Sequence, residues 1–388
     1  HASVVNMLAK NGWGLQLPDA DLAFWGKYVK DGNITFEGLV TLAMQTVGGP
    51  GKDTMTQREQ VAQRYSLSAE TAKKAALDES PVAKAAINSL LMGVNQTATS
   101  VANANAALDQ FLSALGANGV SLTIIDGYIA GATVLIDANG NGKQDPGEFS
   151  GKTDGSGKIS LPATAPAGKV IATGGTDLLT GKEFTGVLSA PAGATLVTPI
   201  STLVESLVSQ GLATDLFSAT AQIQTALGIS STVNALTFDP LASLSSATDS
   251  TANKQAALAF LSVQQQVATV IAQASTMIAQ GGTEKASTDA SNAVVGALAS
   301  AMSQSKTATF DLKSTANISA AIQSASTTLK SEITASTLQQ ISSVVTQSTT
   351  LLDNASKTGT VANALIEMSK TAAITQGTVV EQLKVAAA

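Results

Sequence analysis

Residues 137–149 read DANGNGKQDPGEF, and the fold assigned to the whole chain turns on what this stretch does. It places oxygen-bearing side chains at Asp137, Asn139, Asn141, Asp145 and Glu148, with Gly142 where a tight turn falls. Such a set suits calcium, a hard cation that gathers about six to eight oxygens from carboxylates, carboxamides, backbone carbonyls and water. Asp137, Asn139 and Asn141 would supply one face, the Lys143 carbonyl another, and Glu148 a bidentate lid, with Asp145 acting directly or through water. Asn and Gly also tolerate left-handed backbone angles, so the same letters fit a hairpin turn with no ion. A bare turn has no need of oxygen side chains in this phase, and the expectation is a metal loop.

Counted from Asp137, the acids, amides and glycine fall at the ligand positions of a twelve-residue EF-hand loop. The flanks change what such a loop is for. SLTIIDGYIAGATVLI before it is rich in β-branched residues, and GKTDGSGKISL after it alternates around a second glycine turn. The loop therefore joins strands rather than the two helices a calcium sensor swings apart. The expected module is an antiparallel β-sandwich clamped by its ion. Asp154 in TDGSG either adds a ligand from the neighbouring turn or serves a plain hairpin.

Composition narrows the chemistry. Cysteine is absent and the single histidine is His1. Disulfides, thiolate nucleophiles, Ser/His/Asp triads and ordinary zinc sites lack their residue types. Charged residues make up 13%, against about a quarter in ordinary globular domains. The net charge of -6, without a cluster of Lys and Arg, argues against nucleic acid. No window reaches the roughly 18 apolar residues of a membrane span. GGTDLLTGKEF lacks the Gly-Lys-Ser/Thr ending of a phosphate loop. The opening HASVVNMLAKNGW shows no basic region followed by an apolar core, and it begins with His, so a processed chain or a fragment is expected.

Residues 1–118 read as a helical domain. PDADLAFWGKYVKDG offers Asp19 as an N-cap, Leu22, Trp25 and Val29 on one face, and Asp31-Gly32 as a stop. TFEGLVTLAMQTVGG predicts a second helix from Thr35, and others follow from Thr56 and Ala69. Trp13, Phe24, Trp25, Tyr28, Phe36 and Tyr65 crowd this region; at helical spacing they suit a core, and a sugar could also stack on them. LPDADLAFWGKYVKDGNITFEGLVTLAMQ resembles the small helical domain of unknown function that recurs in bacterial surface-layer proteins and large secreted calcium-binding proteins. That resemblance carries no catalytic residues.

Residues 119–197 form the β module. GYIAGATVLIDANGNGKQDPGEFSGKTDGSGKISLP resembles the carboxypeptidase-regulatory-like and adhesin B-type sandwiches of secreted bacterial adhesins, whose ligands map onto Asp137, Asn139, Asn141, Asp145 and Glu148. A single copy suits one module in a compact subunit better than a long stalk.

Residues 198–388 are helical. In TPISTLVESLVSQG, Thr198 caps, Pro199 takes the first turn, and Ile200, Leu203, Val204 and Leu207 make one stripe up to Gly211. TDLFSATAQIQTALGIS follows, and the pair, residues 198–249 with its connections, resembles the helical extension found after such β modules. From 250 to 388 the chain is rich in Ala, Ser, Thr and Gln, with helical periodicity in KQAALAFLSVQQQVATVIAQASTMIAQGG and in LKSEITASTLQQISSVVTQSTTLLDNAS. Small side chains bury little area per helix, so these helices either close a bundle of their own or gain from neighbouring subunits.

The expectation is a multidomain α+β protein: a helical domain, a calcium-clamped sandwich and a long helical region. Its function would be that of a non-enzymatic, secreted bacterial structural protein, a surface-layer or extracellular-matrix subunit at the cell surface that assembles with itself. An adhesin fragment binding a glycan is the alternative, and a secreted carbohydrate-active enzyme using paired carboxylates the more distant one.

Overall fold

The structure, a computed structural model, describes residues 18–31, 49–68, 80–92, 94, 97, 100–102, 104–105, 108–109, 111, 115–116, 119–213, 215–230, 233–279, 284–305 and 309–387. The chain divides into two compact units, one of residues 1–78 and 86–113 and the other of residues 79–85 and 114–388.

The described helices near the N-terminus are α1 (Asp19–Lys30), α2 (Gly49–Ser68) and α3 (Pro81–Met92). Helix α1 starts at Asp19 itself rather than after it, and Phe24 and Trp25 meet edge to face at 5.2 Å. Phe24 is 57% exposed, so it is not the core residue that helical spacing suggests. The helix expected from Thr35 and the start expected at Ala69 lie outside the described residues. The Arg64 guanidinium fastens α2 to the segment after α3, donating to the Asn105 carbonyl (3.1 Å) and to Asp109 (2.6 Å). Val61, Leu108 and Phe111 are buried in the same unit.

The second unit is mixed, mostly helical, with small and chiefly antiparallel sheets. Its strands are β1 (Leu115–Gly116), β2 (Gly119–Ile124), β3 (Ile129–Ala130), β4 (Thr133–Asp137), β5 (Phe149–Lys152), β6 (Lys158–Pro162), β7 (Lys169–Thr173), β8 (Thr176–Asp177), β9 (Lys182–Glu183), β10 (Val187–Ala190) and β11 (Leu196–Val197). One sheet runs β10-β7-β4-β5, a second is built around β2 with β1, β6 and β11, and a third runs β3-β8-β9. Strand β11 lies parallel to β2, pairing Leu196 with Thr123, which departs from the wholly antiparallel module expected. Alternation sends Val134 and Ile136 of β4, Val170 and Ala172 of β7, and Ile159 and Leu161 of β6 inward.

Helix α4 (Pro199–Ser209) begins as its sequence dictates: Thr198 accepts from the Ser201 amide, Ser201 returns the bond to the Thr198 amide, and Pro199 occupies the first turn. Then come α5 (Leu216–Ala226), capped by Asp215, α6 (Pro240–Ser245), α7 (Thr251–Ala279) and α8 (Glu284–Gln304). The periodic run from Leu329 is not one helix. Helix α9 (Thr315–Leu329) ends at Lys330, which takes a left-handed angle (φ 55°), and Thr334 caps a new helix, α10 (Ala335–Ala355). The Ser331 amide returning to the Ser326 carbonyl (2.9 Å) closes the first helix, so a C-cap wins over continued periodicity. Helix α11 (Val361–Ala372) runs into a π-helical turn, Ala373–Thr378, and then α12 (Val379–Ala387). Ile200, Leu203, Phe260, Val270, Leu298 and Ile322 belong to one continuous core across these helices. The bundle thus closes a core of its own, which leaves the argument from thin helices without force. Among the described residues no helix is long and apolar enough to cross a membrane.

Candidate functional site

Two acidic places stand out, an exposed loop that the sequence announces and a buried pair that it does not.

The loop spans the turn between β4 and β5, two antiparallel strands paired from Thr133/Lys152 to Ile136/Phe149. Asp137 closes β4 and is buried, and its carboxylate draws the chain round itself. Oδ1 accepts from the amides of Gly140 (2.7 Å) and Asn141 (3.1 Å), and Oδ2 from that of Gly142 (2.7 Å). Gly140 and Gly142 both take positive φ, which lets three successive amides converge on one carboxylate. The Asn139 carboxamide oxygen accepts from the Asn141 amide (3.0 Å), and that of Asn141 from the Lys143 amide (2.8 Å). Glu148 closes the ring, accepting from Ala138 (2.8 Å) and Asp145 (3.0 Å) amides. The carboxamide nitrogens of Asn139 and Asn141 both donate to Asp145, and these bonds hold its carboxyl below the usual range. The structure therefore brings Asp137, Asn139, Asn141, Asp145 and Glu148 into one hydrogen-bonded loop, with Lys143 inside it. Asp154 stays apart, since its Oδ1 accepts from the amides of Ser156 (2.8 Å) and Lys158 (3.0 Å) and so serves its own turn. Among the described residues no group of three or more His, Cys, Asp or Glu side chains is placed to hold a metal by itself.

The buried pair is Asp126 and Asp177, each 3% exposed. Asp177 closes the β8–β9 hairpin, accepting from the Leu179 amide (2.8 Å) and the Thr180 hydroxyl (2.7 Å). Asp126 begins the turn into β3. Gly127 allows the two to approach, because a Cβ there would stand 2.0 Å from Asp177 Oδ1 and 2.7 Å from the Leu179 amide nitrogen. Burial pushes the Asp126 carboxyl well above its ordinary range, and the charge of Asp177 adds to the push; burial raises Asp177 as well. One of the two therefore keeps a proton into the range where an exposed carboxyl has lost it.

The long helix α7 reads the pair. Gln265 donates to both the Asp126 carbonyl and Oδ1 (3.1 Å), and Gln376 in the π-helical turn donates to Gln265 Oε1 (3.0 Å). Gln273, two turns further on, donates to the Thr375 carbonyl (2.8 Å) and Ser348 (2.9 Å). A widened turn of this kind exposes carbonyls that a regular helix would use internally. The pair also lies on the wall of a cavity of about 210 Å³ shared by β8, β9, α7, α8 and the π-helical turn. Sequence reasoning missed this place. Asp126-Gly127 looks like an ordinary turn, and the one available signal was an acid set directly after the apolar run LTII.

No protein family, no curated protein and no solved structure matches the chain.

Proposed function

We propose that the chain is a secreted bacterial structural protein, a surface-layer or extracellular-matrix subunit that assembles with copies of itself, and that calcium in the 137–148 loop makes its β module rigid. The observation that supports this best is the convergence of three amides on Asp137, which wraps the backbone as a calcium loop requires and sets Asn139, Asn141 and Glu148 around it. The donor set fits calcium, because every candidate atom is a hard oxygen, and the carboxamides and the Lys143 carbonyl make up what the carboxylates alone do not supply. Bound calcium would cross-link the start of the loop to Glu148 at its end. In this reading the two four-stranded sheets are the leaves of a sandwich, supported by their buried inward faces. Self-association draws support from the outward-facing Leu351, Ile366, Ile374 and Val385 of the C-terminal helices, Val385 being 80% exposed, and from a charge too low to repel copies strongly at physiological salt.

Calorimetry tests the ion. Extracellular calcium modules bind at about 10⁻⁴–10⁻³ M, so about 1 mM calcium should stabilise the fold by roughly 0.4–1.4 kcal/mol. The gain should vanish in Glu148→Gln. Light scattering and negative-stain microscopy with and without calcium test the assembly, and strictly monomeric protein in both conditions would sink it. Turnover of any glycoside that is lost in Asp177→Asn would replace the structural reading with an enzymatic one.

The alternative, an adhesin binding a glycan, is favoured by one observation, the cavity of mixed polar and apolar lining at Asp126 and Asp177.

A further inference from the structure

The cavity at the buried pair has three properties that together specify a ligand. Its charges are mixed: Lys182 and Lys384 line it together with Glu183, Asp126 and Asp177, and Lys384 already pairs with Glu381 (2.7 Å). A free anion would meet the buried carboxyls, and a free cation would meet the two lysines beside them. The walls also differ in kind. Phe184, Val187, Leu188 and Ile271 supply apolar surface, while Thr180, Ser275, Thr276 and Gln376 supply hydroxyl and amide groups.

A third and independent observation comes from α8. Ser291 lines the same cavity, is 4% exposed, and its hydroxyl makes no hydrogen bond. Buried hydroxyls are almost always partnered, so one left over beside a cavity marks a place where an incoming polar group completes the bond. The opening is broad, because the cavity continues into a groove of about 640 Å³ that shares Lys182, Glu183, Thr185, Gln376 and Lys384 with it.

We propose that this cavity binds the terminal sugar of a neutral glycan, with Asp126, Asp177 and Ser291 taking its hydroxyls and Phe184 its C–H face. Carboxyl oxygens accept, and the Ser291 hydroxyl donates or accepts, which suits the hydroxyls of a sugar ring. About 210 Å³ holds one ring, and the groove leads the rest of the chain outward. The inference does not rest on calcium in the loop, and either reading can fail without the other.

Saturation-transfer NMR on the whole chain, with D-glucose, D-galactose, D-mannose, N-acetylglucosamine and L-rhamnose as probes, should show at least one sugar binding at a roughly millimolar Kd. Ser291→Ala should weaken that sugar about tenfold. Ser287→Trp, at an exposed position on the cavity rim, should abolish it while leaving the melting temperature unchanged. Absence of transfer from every sugar would overturn the proposal, as would binding that neither substitution weakens. If calcium alone, and no sugar, shifts the amide resonances of Gly127 and Thr180, the cavity is a cation site and the glycan is excluded.

Discussion

The 137–148 loop and the Asp126–Asp177 pair use the same side chain in opposite ways. In the loop, each acid is met by amides of the loop itself, so its charge is satisfied locally, and Asp145 is held below the usual carboxyl range by Asn139 and Asn141. In the pair, a carboxyl from the turn before β3 and one from β8 are brought together, burial outweighs the bonds they receive, and both rise. What separates them is the origin of the neighbours. A local loop can bring its own donors, whereas acids brought together by tertiary folding inherit whatever surrounds them.

The sharpest way to break this comparison is Gly127→Ala. A Cβ 2.0 Å from Asp177 Oδ1 and 2.7 Å from a backbone nitrogen cannot be relieved by one side chain turning. The substitution should cost on the order of 3 kcal/mol, read as a fall in the denaturant midpoint at constant slope. If it costs nothing, Gly127 does not lie against Asp177 and Leu179. Next in size is Asp137→Ala, which strands three amides at the loop start and should cost about 1–3 kcal/mol with no calcium present.

The third test uses pH. The folded-state pKa values of Asp126 and Asp177 lie above their unfolded values, so the folded chain binds the extra proton. The stability this contributes is complete below about pH 3.8, the ordinary carboxyl value, and is lost as pH rises through the folded-state values. Asp126→Asn should flatten that decline when melting temperatures are compared from acid to alkaline pH. A variant whose profile follows the parent's in parallel would show that the pair does not share a proton. Asp145 runs the other way: its contribution is present above the ordinary carboxyl value and fades as acid protonates it. The smallest effect belongs to Asp154→Ala, which removes only the bonds of an exposed turn and should stay within about 0.5 kcal/mol, with calcium affinity unchanged.

What could be seen in the sequence follows the same division. Thr198, Pro199 and the Ile200–Leu203–Val204–Leu207 stripe announce α4 because capping and helical period are local properties. The 137–148 spacing is local too, and the strands on either side were legible from their β-branched residues. The break at Lys330–Thr334 was not, since a left-handed lysine carries no mark comparable to a glycine. Nor was the interior of α7. Gln264, Gln265, Gln266 and Gln273 are polar residues spread around α7, yet all four are buried, Gln265 and Gln273 bonded to partners far away in sequence. Periodicity tells which residues share a face, but only the tertiary neighbours decide whether a polar face meets water.

The parallel pairing of β11 with β2 carries a consequence for the order in which the chain becomes ordered. Leu196 and Val197, the last strand in the sequence, close beside Thr123 and Ile124, whose other side is already taken by β6, so without them β2 keeps one open edge along its final residues. An unfilled strand edge invites pairing with another chain, and a long closure slows its capture. The residues that fill it run straight into Thr198, the cap that starts α4. The segment that completes the sheet therefore leads directly into the first bundle helix, and a nascent chain keeps that strand edge open until it emerges.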